Sequence, residues 1–263
     1  MFSWRSRRQL VAFLIVISPL LVAAFFTIKR VIPEPTCFDN KRNQNESGVD
    51  CGGSSCFSCE LKYPRPITVF WARAVAVNEE SYDLAAEIEN SNERLSSVAI
   101  EYEFTLYDDF GPVTKQIGKT YLYAQERTLV VEPNIQTMRR ATRAEFRILR
   151  ADWLEKNETK PTIIAERRAY KVIDEQGRKT SEVEITLFNQ TPYDFREVEV
   201  HVAVLDKDEN LLGVNKILVE NLLSQTRQMV KSLWTGELQG TVAVIKVEPR
   251  VNIFDPHMII KPE

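Results

Sequence analysis

The sequence has little of what most catalytic sites require. It contains only two histidines and nine glycines. Neither histidine stands beside a serine or cysteine in a nucleophile context or in an H-E-x-x-H motif. With so few glycines, no glycine-rich phosphate-binding loop is present. We therefore predict that the protein is not an enzyme, and the sequence identifies no small-molecule substrate.

Charge of one sign is also lacking. The formal net charge is −3, and the lysines and arginines are dispersed among glutamates. The longest basic clusters, 138–140 and 167–168, are short. Nucleic-acid-binding proteins usually carry a basic patch or stripe. The charge pattern therefore predicts no nucleic-acid partner.

One long apolar run is present, Leu10–Ile28, and it carries no charge. A helix of roughly 20 residues matches the hydrocarbon thickness of a bilayer, so residues 10–28 predict a transmembrane signal anchor. The arginines before it favour a cytoplasmic N-terminus, residues 1–9. A cleaved signal peptide, with small residues at 22–24, is the alternative. Both interpretations place the rest of the chain outside the cytoplasm, and the anchor places it at the cell membrane.

All the cysteines lie in one polar segment, residues 37–59, and none follows it. The segment is too short and too polar to bury a core, so we predict that disulfides hold it in an oxidising compartment. Four cysteines allow three pairings, of which we favour Cys37–Cys56 with Cys51–Cys59. A bridge within the Cys56–Cys59 step would close a very small, labile ring.

Two other uses of these cysteines stay open. A structural zinc site usually takes two C-x2-C pairs, and only Cys56 and Cys59 have that spacing. The same pair has the spacing of a thiol–disulfide redox motif, although it lacks the βαβ context in which such motifs occur.

The same segment is rich in oxygen ligands. Within a dozen residues it places Asp39, Asn43, Asn45, Glu46 and Asp50. Carboxylate and amide oxygens are the ligands that calcium prefers, so these residues form a candidate calcium site, without the spacing of an EF-hand. The alternative is that the Asn and Asp side chains form Asx turns within a stapled loop.

The cysteines and the residues between them also carry a resemblance. The pattern C-x-D-x-x-x-N…G-x-D-C-G-G…C-x-x-C, which starts at Cys37 and ends at Cys59, resembles a cysteine-rich motif of secreted and surface-attached microbial proteins. The sequence departs from the motif at Asn40, where the motif has glycine, and by one extra residue at 54–55. The resemblance implies an extracytoplasmic module and transfers no activity.

From Tyr63 onward the chain is patterned as short β-strands. Apolar and polar residues alternate over 98–107, as in a half-buried strand. Similar strands recur 98 to 99 residues later. The sequence therefore predicts an all-β fold with two tandem immunoglobulin-like β-sandwich domains, residues 63–155 and 162–263, behind the transmembrane helix and the cysteine-rich module.

Residues 104–108, Phe-Thr-Leu-Tyr-Asp, resemble the signature of the FxLYD domain family. The second repeat departs from it, since 202–206 keeps only the apolar spacing and the aspartate. The resemblance implies a sandwich domain of envelope-associated prokaryotic proteins with no known catalytic residues. From the alternation we expect Phe104 and Leu106 in the core. We expect His201 to face solvent, opposite the valines of its strand.

Together these observations predict a non-catalytic, membrane-anchored envelope protein whose extracytoplasmic domains serve binding, assembly or spacing. Its expected partners are the membrane, through residues 10–28, and an envelope protein or surface polymer. The alternative is a membrane-tethered thiol–disulfide redox component that uses Cys56 and Cys59.

Overall fold

A computed structural model of the chain describes residues 4–31, 36–78, 80–155 and 159–260. The ends of the predicted cytoplasmic segment and second domain, residues 1–3 and 261–263, lie outside the described residues, as do residues 156–158 between the two predicted domains. The chain divides into two compact units, Met1–Lys62 and Tyr63–Glu263.

The first unit contains helix α1, Trp4–Val31, and the single turn α2, Cys59–Lys62. Helix α1 encloses the apolar run and its proline, Pro19. Large apolar side chains along it are exposed, among them Leu14, Leu20 and Phe26. Among the helices of the described residues, none has the combined length and apolar character needed to cross a bilayer.

The second unit is built of antiparallel β-strands, which confirms the all-β prediction. In its first half, strands β1, β2 and β5 form one sheet in the order β1-β2-β5, and strands β3, β4 and β6 form another in the order β4-β3-β6. Their bounds are β1 Thr68–Ala76, β2 Ser81–Glu89, β3 Leu95–Asp108, β4 Gly111–Leu122, β5 Arg127–Gln136 and β6 Arg143–Glu155.

The second half repeats this strand order. Strands β7, β8 and β11 form a sheet ordered β11-β8-β7, and strands β9, β10 and β12 form a sheet ordered β10-β9-β12, with β13 added on β9. Their bounds are β7 Ile163–Glu175, β8 Arg178–Asn189, β9 Asp194–Leu205, β10 Leu211–Leu222, β11 Arg227–Thr235, β12 Val244–Arg250 and β13 Ile259–Ile260.

Alternation along the central strands builds a core in each half. Phe104 and Leu106 of β3 are fully buried in the first core, as the sequence predicts, and pack against residues of β2 and β5. The valines of β9 are buried in the second core. Because successive strand residues point to opposite faces, one set of apolar residues fills each core and the other set faces away from it.

A third apolar cluster lies between the halves. It joins Ala85, Leu129 and Val131 from β2 and β5 to Ala203 and Val214 from β9 and β10. The outer face of the β1-β2-β5 sheet therefore packs on the outer face of the β10-β9-β12 sheet. Both of these sheets are covered on two sides, which period-two patterning alone does not reveal.

Candidate functional site

The cysteine-rich segment is held by two disulfides. Cys37 bonds Cys56, and Cys51 bonds Cys59, the pairing favoured from the sequence. No free cysteine is present among the residues that the structure describes. The two cysteines of the Cys56–Cys59 step are bonded to different partners, so the step does not form the internal disulfide of an oxidised redox motif.

The acidic side chains of this segment are engaged by N–H donors. Both carboxylate oxygens of Asp50 accept the Asn40 backbone N–H, at 3.0 and 3.1 Å, and Lys62 Nζ lies 3.3 Å from Asp50 Oδ2. Glu46 Oε2 accepts backbone N–H groups from Asn43 and Asp50. These donors occupy lone pairs that a bound calcium ion would need.

Of the remaining candidate ligands, Asp39 and Asn45 also form hydrogen bonds within the segment, whereas the Asn43 side-chain oxygen is buried without a partner among the described residues. Asp39 accepts the Lys41 backbone N–H and the Asn43 side-chain amide, at 2.9 and 2.7 Å. Asn45 donates to the Ser54 hydroxyl. This is the geometry of Asx turns in a stapled loop, the alternative to a calcium site.

The grouping of possible metal ligands in the structure does not support a calcium site either. Within the described part of the chain, the one group of three metal-ligand side chains with ligand atoms within 4.8 Å of one another is Cys37, Glu46 and Cys56. Two of these are joined as a disulfide, and a disulfide sulfur is not the thiolate that binds metal. The donor set therefore fits neither zinc nor calcium well, and the calcium site stays a sequence-based hypothesis.

The junction between the halves of the second unit contains a buried arginine. Arg250, at the end of β12, is 1% exposed. It donates to the Tyr121 carbonyl at 2.5 Å and to Thr120 Oγ1 at 3.2 Å, and its guanidinium lies 4.5 Å from the Tyr121 ring centroid. Both terminal nitrogens of Arg250 are paired in this way, whereas its buried Nε has no hydrogen-bond partner among the described residues. An arginine is almost never buried unless it is paired, so these contacts hold one half on the other.

Further polar contacts cross the same junction. Glu248 Oε2 accepts the Thr128 hydroxyl at 2.8 Å and the Leu129 backbone N–H at 3.0 Å. The Tyr123 hydroxyl donates to the Val251 carbonyl at 2.5 Å. These bonds sit beside the third apolar cluster, so hydrogen bonding and apolar burial act together to join the halves.

His201 also belongs to this junction, and the prediction that it faces solvent is wrong. It is 3% exposed, and its Nδ1 lies 2.8 Å from the Leu129 carbonyl oxygen. Its Nε2 lies 3.4 Å from Glu199. The alternation placed His201 correctly opposite the valines, but that face is covered by β5 of the other half rather than by water.

The electrostatics of Glu199 reflect this setting. Desolvation alone would raise its pKa, but the hydrogen bond with His201 and the positive charges of Lys216 and Arg250 outweigh it and lower the pKa to about 2. Glu199 therefore remains ionised and contributes negative charge beside the buried arginine.

Comparison with known proteins finds no family model that matches the chain and no curated protein that matches it. The similarity to the FxLYD family and to the cysteine-rich motif therefore depends on the residues quoted above.

Sequence reasoning missed Arg250 and the junction, since the only signal was one arginine at the end of an alternating strand. Such a residue is usually solvated.

Proposed function

We propose that the protein is a non-catalytic, membrane-anchored envelope protein. In this proposal residues 10–28 span the membrane, the disulfide-bonded module lies just outside it, and the second unit holds two immunoglobulin-like sandwiches that serve binding, assembly or spacing. The observation that carries the proposal is the pair of disulfides directly after an apolar run, because disulfides persist in oxidising, extracytoplasmic compartments.

Two further features support the proposal. The exposed apolar side chains of α1 support the anchor, since residues 10–28 carry no charge and a helix segment that is apolar on all sides is usually buried in protein or lipid. The repeated strand order of the second unit supports tandem sandwiches. The junction supports a spacing role, because its apolar cluster and buried hydrogen bonds hold the two halves together. Domains joined only by a small, exposed contact would move independently.

The topology is tested by protease shaving of intact cells that express the chain with a C-terminal epitope tag. We expect the tag to be lost on shaving, while a tag placed at the N-terminus survives until the cells are lysed. Protection of the C-terminal tag in intact cells would overturn the proposed orientation. Recovery of the full chain in the wash fraction, without detergent, would overturn the anchor.

The alternative, a thiol–disulfide component using Cys56 and Cys59, is tested by alkylation and intact mass. Without reductant we expect no alkylated cysteine, and mild reductant should leave this unchanged. Two readily alkylated thiols after mild reduction would favour the redox role, since labile disulfides are those that exchange.

A further inference from the structure

A cavity of about 380 Å³ opens at the edge of the junction within the second unit. One wall is strand β1 over residues 74–77, another is β10 over residues 211–213, and the third is the segment 234–239 at the end of β11. Asp83 of β2 also lines it. The volume falls in the range of sites that hold a small organic group.

Asp83 is the buried charge in this cavity. It is 4% exposed, and it points away from the first core because its neighbours Tyr82 and Leu84 point into that core. Asp83 Oδ1 accepts the Asn134 backbone N–H at 2.9 Å. That bond has a structural role, since the pairing of β2 with β5 shifts register here and Asn134 has a φ of 58°.

The hydrogen bonds that Asp83 accepts do not balance its charge. Burial raises the pKa of Asp83 to about 6, and the hydrogen bonds from Asn134 and Trp234 offset only part of this. In the described part of the chain, no lysine or arginine forms an ion pair with it. Buried carboxylates are normally paired or bound to a cation, so this one lacks its usual partner.

The rest of the cavity suits a particular partner. Its apolar lining includes Leu211, Leu212, Leu238 and the Trp234 ring, which is 5% exposed. The second carboxylate in the lining, Glu237, already pairs with Lys179 at 2.6 Å. A hydrogen-bonded anion without an ion-pair partner in the described part of the chain, set among apolar and aromatic walls, fits a positive group at the end of an aliphatic chain.

We propose that this cavity binds an organic cation, an ammonium or guanidinium on an aliphatic chain, with Asp83 as its counter-ion. The positive head would lie at the carboxylate, and the aliphatic chain would lie along the leucines and Trp234. A free amine and a lysine side chain share this chemistry. The inference goes beyond the proposed function, because it holds whether or not the chain is anchored in a membrane.

The test is ligand-observed saturation-transfer NMR on the full chain in detergent micelles. The probes are butylamine and the blocked peptide acetyl-Gly-Lys-Gly-amide, with butanol and the norleucine peptide as uncharged controls. We expect butylamine to bind and butanol not to bind. Binding of the lysine peptide as well would assign the site to a protein side chain, and binding of butylamine alone would assign it to free amines.

Two variants locate the binding. Asp83→Asn keeps an acceptor for the Asn134 N–H and should weaken butylamine binding by at least about tenfold. Asp109→Asn, in the exposed turn after β3, is the matched control and should bind as the parent does. Val75→Phe adds bulk to the β1 wall on the face that Asp83 occupies, because Val75 and Asp83 are paired across β1 and β2, and it should also abolish binding.

The proposal fails on any of three results. Equal binding of butanol and butylamine would show that charge is not recognised. Unchanged binding in both the Asp83 and Val75 variants would place the probe elsewhere. No binding of either amine to the parent chain would show that the carboxylate is buried for structure alone. Near-UV circular dichroism checks that both variants remain folded.

Discussion

The Asp83→Asn substitution should stabilise the folded protein at neutral pH and lose that advantage in mild acid. Burial raises the pKa of Asp83 from its ordinary value of 3.8 to about 6, so the folded state holds this proton more tightly than the unfolded chain does. A carboxyl group whose pKa is higher in the folded state than in the unfolded chain stabilises the folded state at pH values below its unfolded pKa. That contribution is lost as the pH rises through the folded value.

The size of the effect follows from the two pKa values. The difference is about two pH units, and each unit corresponds to about 1.4 kcal/mol, so ionising the buried carboxyl costs about 3 kcal/mol of folding free energy. Asparagine does not ionise, and its amide oxygen can still accept the Asn134 N–H. The stability of the variant relative to the parent should therefore rise by about 3 kcal/mol between about pH 4 and pH 7.

The measurement is urea unfolding of the full chain in mild detergent, followed by tryptophan fluorescence at several pH values across this range. Only the difference between variant and parent is interpreted, because the other titrating groups cancel in it. Glu199→Gln is the control with the opposite sign. The Glu199 pKa is lowered from 4.5 to about 2, so that variant should lose stability relative to the parent as the pH rises from about 2 to about 4.5, and the difference should be constant above that range. The control is therefore also measured over this lower range.

Two results would refute this reasoning. A pH-independent difference between the Asp83→Asn variant and the parent would mean that the carboxyl has an ordinary pKa. An Asp83→Asn variant less stable than the parent at neutral pH would mean that the ionised carboxylate receives more stabilisation from its donors than burial removes.

Three further predictions follow from buried contacts. Arg250→Ala should destabilise the second unit by about 3–5 kcal/mol, since it empties a buried site and leaves the Tyr121 carbonyl without its donor; thermal unfolding against the exposed control Arg178→Ala measures it. Gly118→Ala should cost about 1–3 kcal/mol in urea unfolding, because the new Cβ would lie 2.4 Å from the Tyr102 hydroxyl oxygen; an unchanged midpoint would contradict this. Removing the Cys37–Cys56 bridge with paired serines should cost the module about 3 kcal/mol of loop entropy, seen as faster amide exchange confined to the first unit.

The strands were predictable where alternation was clean. The pattern over 98–107 predicted the centre of β3, and the repeat spacing predicted its counterpart β9. Strand β4 was not predictable over its full length. Its first part, through Lys115 and Lys119, is polar, and it is a strand because its backbone pairs with β3 rather than because its side chains are buried.

The candidate sites were predictable only where covalent chemistry constrained them. The cysteine spacing disfavoured only the pairing that closes the small ring between Cys56 and Cys59, and it did not distinguish the two pairings that remain. The role of the oxygen-rich side chains was not predictable, since calcium-binding loops and loops built from Asx turns are both rich in Asn and Asp. Asp83 and His201 were not predictable either. Alternation assigns a residue to a face, but long-range packing decides whether that face meets water.

The shared packing of the inner sheets limits how the second unit can be divided. The β1-β2-β5 sheet supplies one face to its own core and the other to the neighbouring half. A fragment cut near residues 156–158 would expose Leu129 and Val131 to water, together with the carbonyl groups that Arg250 covers. Such a fragment would expose an apolar surface, and we expect it to self-associate. We therefore expect that neither half can be moved into another protein without the other half or a redesign of the shared face.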